Sequence, residues 1–411
     1  MAESRRQLLA TRKFRCRDRD IEPICVAGLR APMATDQLTS FCGRDRCANR
    51  TGFVWHVAHQ IVEPRERQNQ AAFARDRKER AELKTVTMKA LYFRETGSLA
   101  NLRVENIEVP RIDPHGGEAL VRVRAAAINP SDPKSVLGKI SETKPPRVPG
   151  RDFAGVVVEG PATWKGKEVF GTGGSLGFGR NGSHAEFVSV PVEALVEKPK
   201  QLSFEQAAAL GLGYLTAWSA IVTAGRVSPN DIVLVLGATG AVGSAAVKIA
   251  KHIGAKRVIG VLRKEAGRTK TAGIPSDDWL VLEEKPLPRG LFEITQGNGA
   301  DLILDMIGGS SFESVNQCLA HRGRHVVIAS IEPRVSFSLV DFYHREARLI
   351  GVDTLKLSFS ESAEVLREIV PLVNAGVLTP PELDSIAIEQ GPLAYQAVLE
   401  GSAGRKQVIR F

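Results

Sequence analysis

The apolar run Asp231-Ile-Val-Leu-Val-Leu236 ends in Gly237-Ala-Thr-Gly240-Ala-Val-Gly243, and that turn opens a helix of small residues, Ser244-Ala-Ala-Val-Lys-Ile-Ala250. No other stretch limits the fold so strictly. A buried strand, a glycine turn and a helix in that order make a cradle for a dinucleotide pyrophosphate. Glycine lets the backbone turn sharply and approach the phosphates, whose charge then meets the unpaired N–H groups of the helix N-terminus. The residues expected to line the pyrophosphate are Gly237, Gly240, Ala241, Val242 and Gly243.

The next strand, Arg257-Val-Ile-Gly-Val-Leu262, runs into Arg263 and Lys264. In such folds an acidic residue roughly 20 positions past the glycines accepts hydrogen bonds from the ribose hydroxyls. Near that place stands Leu262, which accepts none, and two cations follow it. A missing negative charge and a gained positive one suit a ribose 2′-phosphate. NADPH is therefore the expected cofactor, with Arg263 and Lys264 as its readers.

The chain has 411 residues, enough for two domains with substantial cores. Its formal charge of +9 is unevenly spread. Residues 1–87 hold 18 Lys and Arg against 11 Asp and Glu, while residues 88–411 hold 37 against 35. The first segment also carries four of the five cysteines and lacks sustained periodicity. Cys42, Cys47, His56 and His59 are spaced too tightly for the usual zinc finger. Recurring acids argue against a transit peptide. No aromatic interleaving accompanies the arginines, so nucleic acid is not an expected partner. Residues 1–87 are expected to be a disordered extension, and Met88-Lys-Ala-Leu-Tyr-Phe93 the first strand. No run is read as long and apolar enough to cross a bilayer, and a single body cysteine, Cys318, suits a reducing cytoplasm.

From Met88 to about residue 200 short strands alternate with Gly- and Pro-rich turns, among them Gly117–Arg124, Ala154–Glu159 and Ala185–Val190. That pattern predicts an irregular β-barrel. From Ser203 strands and helices alternate: a helix behind a Ser203 cap, then strands at Ile232–Leu236, Val258–Leu262, Leu302–Leu304 and His325–Ile328, with a helix over Ser311–Ala320. This is the pattern of a doubly wound parallel sheet. An amphipathic helix over Ser360–Ala375 and a last strand, Lys406–Phe411, predict a return to the first domain. The expected division is 88–210 barrel, 211–345 parallel sheet and 346–411 returning tail, an α/β chain throughout.

That order resembles the medium-chain dehydrogenase/reductase superfamily, and within it the zinc-free NADPH:quinone reductases of the zeta-crystallin type, with their GroES-like barrel and Rossmann sheet. The resemblance covers residues 88–411. It is carried by Ala127-Ile-Asn-Pro-Ser-Asp132, Pro149-Gly-Arg-Asp-Phe-Ala-Gly155, Tyr214-Leu-Thr-Ala-Trp218, Gly237–Gly243, Asp301–Gly309, Phe342–Gly351 and Gly404-Arg-Lys-Gln-Val408. Zinc-dependent members have a cysteine where this chain has the Asn129–Asp132 segment, and a histidine where it has Arg151. An arginine offers no lone pair to a metal, so no metal site is expected.

Without a Lewis acid, plain alcohol oxidation is disfavoured. What remains is hydride transfer from NADPH to an acceptor that is already electrophilic, a quinone or similar activated carbonyl. Reduction of an enal, enone or enoyl-thioester double bond is the near alternative, and a non-catalytic NADPH- or RNA-binding role the distant one. By resemblance, Asn129 faces the nicotinamide ribose and substrate, and Thr216 the carboxamide. Tyr214 is the first candidate proton donor, with Asp132 and Lys134 behind it. Arg151 and Asp152 are expected to pair, the loop Gly171–Arg180 is a candidate gate, and a homodimer is expected.

Overall fold

The computed structural model describes residues 86–113 and 116–411. The expectations for the Arg- and Cys-rich first segment therefore fall outside the described residues. β1 (Thr87–Tyr92) and β2 (Arg103–Glu108) form an antiparallel pair. β3 (Glu118–Ala127) follows, then the short helix α1 (Ser131–Val136), β4 (Phe153–Glu159), β5 (Glu168–Gly171), β6 (Phe187–Pro191) and β7 (Val196–Glu197).

α2 (Phe204–Trp218) starts at Ser203, whose side chain accepts from Gln206 N while the Gln206 side chain accepts from Ser203 N. That reciprocal pair satisfies two donors at the helix start. α2 runs directly into a wider helical turn, and Phe204–Ala224 is 21 residues long and apolar enough to span a membrane. The expectation that no run reaches that length is corrected. The physical reason for its composition is tertiary: 78% of the apolar window is buried inside the fold, where α2 packs on β3, β4 and β5 and on the helix Ala241–Ile253.

The parallel half comprises β8 (Ile232–Leu236), α3 (Ala241–Ile253), β9 (Arg257–Leu262), β10 (Asp278–Val281), α4 (Leu287–Thr295), β11 (Ala300–Asp305), α5 (Phe312–Gln317), β12 (Leu319–Val327), α6 (Leu339–His344) and β13 (Arg348–Gly351). Its six strands are ordered β10-β9-β8-β11-β12-β13, all parallel. The order reverses between β8 and β11, and ligands bind open parallel sheets outside the carboxyl ends of the strands at that point. β8 is buried along its whole length and reads as an unbroken apolar run for that reason.

Because β13 is still part of this sheet, the chain leaves it after Gly351, later than the expected boundary at 345. α7 (Phe359–Asn374), β14 (Leu383–Ala387), α8 (Gly391–Glu400) and β15 (Lys406–Arg410) complete the chain. β15 pairs antiparallel with β3, so the tail rejoins the first domain in a sheet ordered β14-β15-β3-β4-β5-β7, with β6 also on β3.

Candidate active site

Three strand registers, continued one or two residues beyond the barrel ladder, bring the first part of the site together. Val408 pairs with Ala127 across β15 and β3, which puts Lys406 opposite Asn129. Ala125 pairs with Ala154 across β3 and β4, which brings the start of β4 to the end of β3. Phe153 pairs with Gly171 across β4 and β5, which sets Asp152 opposite Thr172.

The side chains close into one buried network. Asn129 Nδ2 donates to Asp152 Oδ2 at 2.8 Å, and Lys406 Nζ donates to Asn129 Oδ1. Asp152 Oδ1 accepts from the Thr172 hydroxyl and, at 2.9 Å, from Leu212 N. That last donor exists because α2 breaks at Gly211, where φ is −22° and ψ is −109°. A side chain there would put its Cβ 2.4 Å from Asp152 Oδ1, so glycine both frees the N–H and makes room for the carboxylate. Asp132 Oδ2 accepts from Asn129 N at 2.7 Å. Burial pushes the Asp132 carboxyl up to about 7, because the charged form is costly out of water. Behind the network His184 Nδ1 lies 2.6 Å from the Tyr395 hydroxyl, and burial lowers the imidazole to about 3, so it stays neutral.

Arg151 is buried but does not pair with Asp152. Its Nη2 donates to the carbonyls of Gly174 at 3.2 Å and Thr354 at 3.5 Å, and its guanidinium lies 5.3 Å from the Phe178 ring centre. Its Nε has no partner among the described residues. Asp152 instead accepts from an amide, a hydroxyl and a backbone N–H. Nor is the loop Gly171–Arg180 an open flap. It is buried almost throughout, with Gly174 against the Phe359 ring and Gly177 against the Gly150 backbone.

Of the candidate proton donors, Tyr214 stands apart from the network. Its hydroxyl donates to the Thr379 carbonyl at 2.7 Å, its ring lies in the core, and burial raises its pKa. A hydroxyl committed there is a packing group, which corrects the candidacy of Tyr214. Lys134 is exposed on α1. Thr216 Oγ1 lies 3.3 Å from Thr354 Oγ1, and Thr354 in turn carries the carbonyl that Arg151 reaches.

The second part of the site is local. Gly237 turns the chain at φ +70°, and Gly240 caps α3. A Cβ at Gly243 would sit 2.3 Å from the Gly237 carbonyl, so only glycine lets the helix start so close to the strand end. The first-turn N–H groups, on Ala241, Val242 and Gly243, are those a helix leaves unpaired. The turn that precedes them borders a cavity of about 800 Å³ lined by Gly237, Thr239, Leu262, Arg263, Lys264 and Lys270, and on the β11 side by Ile307 and Gly308. This cradle fits a dinucleotide. Lys264 is 3.2 Å from Glu283, while Arg263 has no ion-pair partner among the described residues.

Sequence reasoning missed the far wall. Asp305 Oδ1 accepts from the N–H groups of Ile307 and Gly308, and His325 Nε2 meets Oδ2 at 3.2 Å. Burial works against the charged carboxyl, and these hydrogen bonds outweigh it and hold its pKa below the usual range. Lys406 was missed as well, since its role depends on a strand register.

The donor set does not fit a zinc ion. Asn129 Oδ1 is taken by an ammonium, Asp152 already accepts three hydrogen bonds, and Arg151 adds a second cation. No group of three or more His, Cys, Asp or Glu among the described residues has metal-ligating geometry.

Residues 115–200 match the family model for the alcohol dehydrogenase GroES-like domain, and residues 241–371 the model for zinc-binding dehydrogenases. A zinc-type alcohol dehydrogenase-like protein of Schizosaccharomyces pombe is 37% identical over 297 residues, covering 70% of this chain and 86% of the relative. A quinone oxidoreductase of Pongo abelii is 29% identical over 338 residues, covering 78% of this chain and 97% of the relative. A crystal structure of an NAD-dependent alcohol dehydrogenase superposes with a TM-score of 0.72 at 30% identity, over 79% of this chain and 100% of its own.

Proposed function

Because the chain belongs to the medium-chain dehydrogenase/reductase superfamily, in its quinone reductase-like branch, we propose that this oxidoreductase uses NADPH to reduce a quinone or similarly activated carbonyl without a metal ion. The observation that carries the reading is the closed Asn129–Asp152–Lys406 network, which leaves no ligand set to polarise an unactivated alcohol or aldehyde. The acceptor must then be electrophilic on its own.

The bound nicotinamide supplies the hydride. The glycine turn and the α3 N-terminus hold the pyrophosphate, through N–H groups and a favourable dipole. Leu262 offers no acceptor to the ribose, and Arg263, Lys264 and Lys270 offer charge to a 2′-phosphate. Asn129 and Thr216 orient the nicotinamide side, and the buried barrel keeps water from the transferring hydride. A quinone takes up two electrons and one proton as hydride, and a second proton completes the hydroquinone.

The test is an acceptor panel with the full chain, run with each cofactor and with a chelator. NADPH oxidation by quinones is expected to survive the chelator and to exceed NADH use by about tenfold or more, roughly 1.4 kcal/mol. Arg263→Ala should narrow that preference. Equal use of both cofactors would overturn the NADPH assignment, and chelator-sensitive turnover the metal-free one.

A second copy of this chain is the partner we infer for the free edge of β13. Leu349 on that strand and Leu339, Val340 and Tyr343 on α6 are exposed apolar groups around a strand edge that is unpaired among the described residues. A dimer in sedimentation, lost in Leu349→Lys, is expected, and a monomeric parent chain would refute it.

A further inference from the structure

Lys406 is a buried ammonium at a place where packing alone would be served by an apolar residue, as at its neighbours Val408 and Ile409. Its side chain is 7% exposed, it donates to Asn129 Oδ1, and it lies 3.9 Å from Asp152 Oδ2. An asparagine amide has nearly the same shape either way round, so only its partners decide which end is oxygen. Here an ammonium holds the oxygen end and a carboxylate the nitrogen end. A flip would set the NH₂ group against the ammonium and the carbonyl against the carboxylate. Both charge-assisted bonds would become repulsions.

We propose that Lys406 is the positioning residue of this site: it locks the Asn129 amide in one orientation, and hydride transfer depends on that lock. The inference rests on the reading that Asn129 faces the bound nicotinamide ribose and the acceptor. Lys406 acts through Asn129 and touches neither. The titratable groups that act on it are Asp152 just before β4, Asp132 on α1 and neutral His184 before β6, and Arg151 and Tyr395 lie beyond them, against Asp152 and Asp132. Burial lowers the Lys406 pKa from its ordinary value, against the pull of Asp152 and Asp132. Its charge is therefore lost at lower pH than that of a free lysine, and the amide lock weakens with it.

The full chain and the variants Lys406→Arg, Lys406→Met, Asn129→Ala and Lys406→Met/Asn129→Ala are compared for kcat and KM with NADPH and a quinone between pH 6 and 10. NADPH Kd is followed in parallel by nucleotide fluorescence. Lys406→Met is expected to lower kcat by about tenfold or more. The double variant should lose no more than Asn129→Ala alone, the non-additivity of residues that act as one unit. Lys406→Arg should recover part of kcat and remove the alkaline decline of the parent, because a guanidinium does not deprotonate there. Additive losses, or the same alkaline decline in Lys406→Arg, would overturn the lock.

If Lys406→Met does not fold, Lys406→Arg carries the pH test alone. A parent chain inactive with every quinone would sink the activity reading instead. NADPH Kd then decides the lock: weakening at alkaline pH in the parent only supports it, and parallel profiles refute it.

Discussion

The glycine turn after β8 and the polar network around Asn129 are built in opposite ways. The turn is contiguous: seven residues supply the left-handed Gly237, the close approach at Gly243 and the helix N-terminus. The network is gathered from Asn129, Asp132, Asp152, Thr172, Leu212 and Lys406, and three strand registers and one broken helix hold it together. A contiguous site fails locally when it is damaged. A gathered site takes part of the fold with it, because each member leaves another buried group unpaired.

The sharpest way to break that contrast is Asp152→Ala. It strands the Thr172 hydroxyl, the Leu212 N–H and the Asn129 NH₂ group and removes the carboxylate that balances the Lys406 ammonium, and should cost about 3–5 kcal/mol in denaturant unfolding. Gly243→Val comes next. Its Cβ would meet the Gly237 carbonyl at 2.3 Å, so about 1–3 kcal/mol of overpacking strain is expected. NADPH binding should be lost while the barrel persists, read by titration and near-ultraviolet circular dichroism. Equal damage to both halves from either variant would erase the distinction.

A third effect is visible in pH. The Asp132 carboxyl sits at about 7 in the fold and near 3.9 in an unfolded chain. The folded state thus binds an extra proton between those values. The stability this gives is present below the unfolded pKa and lost as pH rises through about 7. Asp132→Asn should gain on the parent by a margin that widens between pH 5 and pH 8.5, with the difference in melting temperature growing by at least about 2–4 °C. A gap of equal size at both pH values would show that Asp132 is ionised throughout. The smallest effect is that of Tyr214→Phe. Lys248 Nζ also donates to the Thr379 carbonyl, so the loss should stay under about 1 kcal/mol and leave turnover unchanged. A large fall in kcat would restore Tyr214 as a proton donor.

The legible features are those with short-range causes. β8, the glycine turn, the Ser203 cap, the amphipathic α7 and the closing β15 all stand where the sequence predicts them. Expectations failed where distant chain decides. The helix expected over Ser311–Ala320 stops at Gln317, because β12 begins at Leu319 beside β11. Arg151 and Asp152 are adjacent in sequence yet turn to different partners, two carbonyls for one and three donors and an ammonium for the other. Tyr214 looked available because a helix periodicity does not say what its hydroxyl meets. The apolar length of Phe204–Ala224 was underread because a core helix packed between the barrel strands and α3 is buried around most of its circumference.

Sequence alone determined the parallel sheet, the barrel before it, the phosphate cradle and the lack of an acid at Leu262, because each follows from local periodicity or from a residue type at a fixed offset. Only the tertiary structure decided that Lys406, 277 positions from Asn129, would hold its amide, and that Gly211 would open α2 to Asp152. Those contacts depend on ladder register and on the desolvation of charged groups, and neither is written in any one segment of the chain.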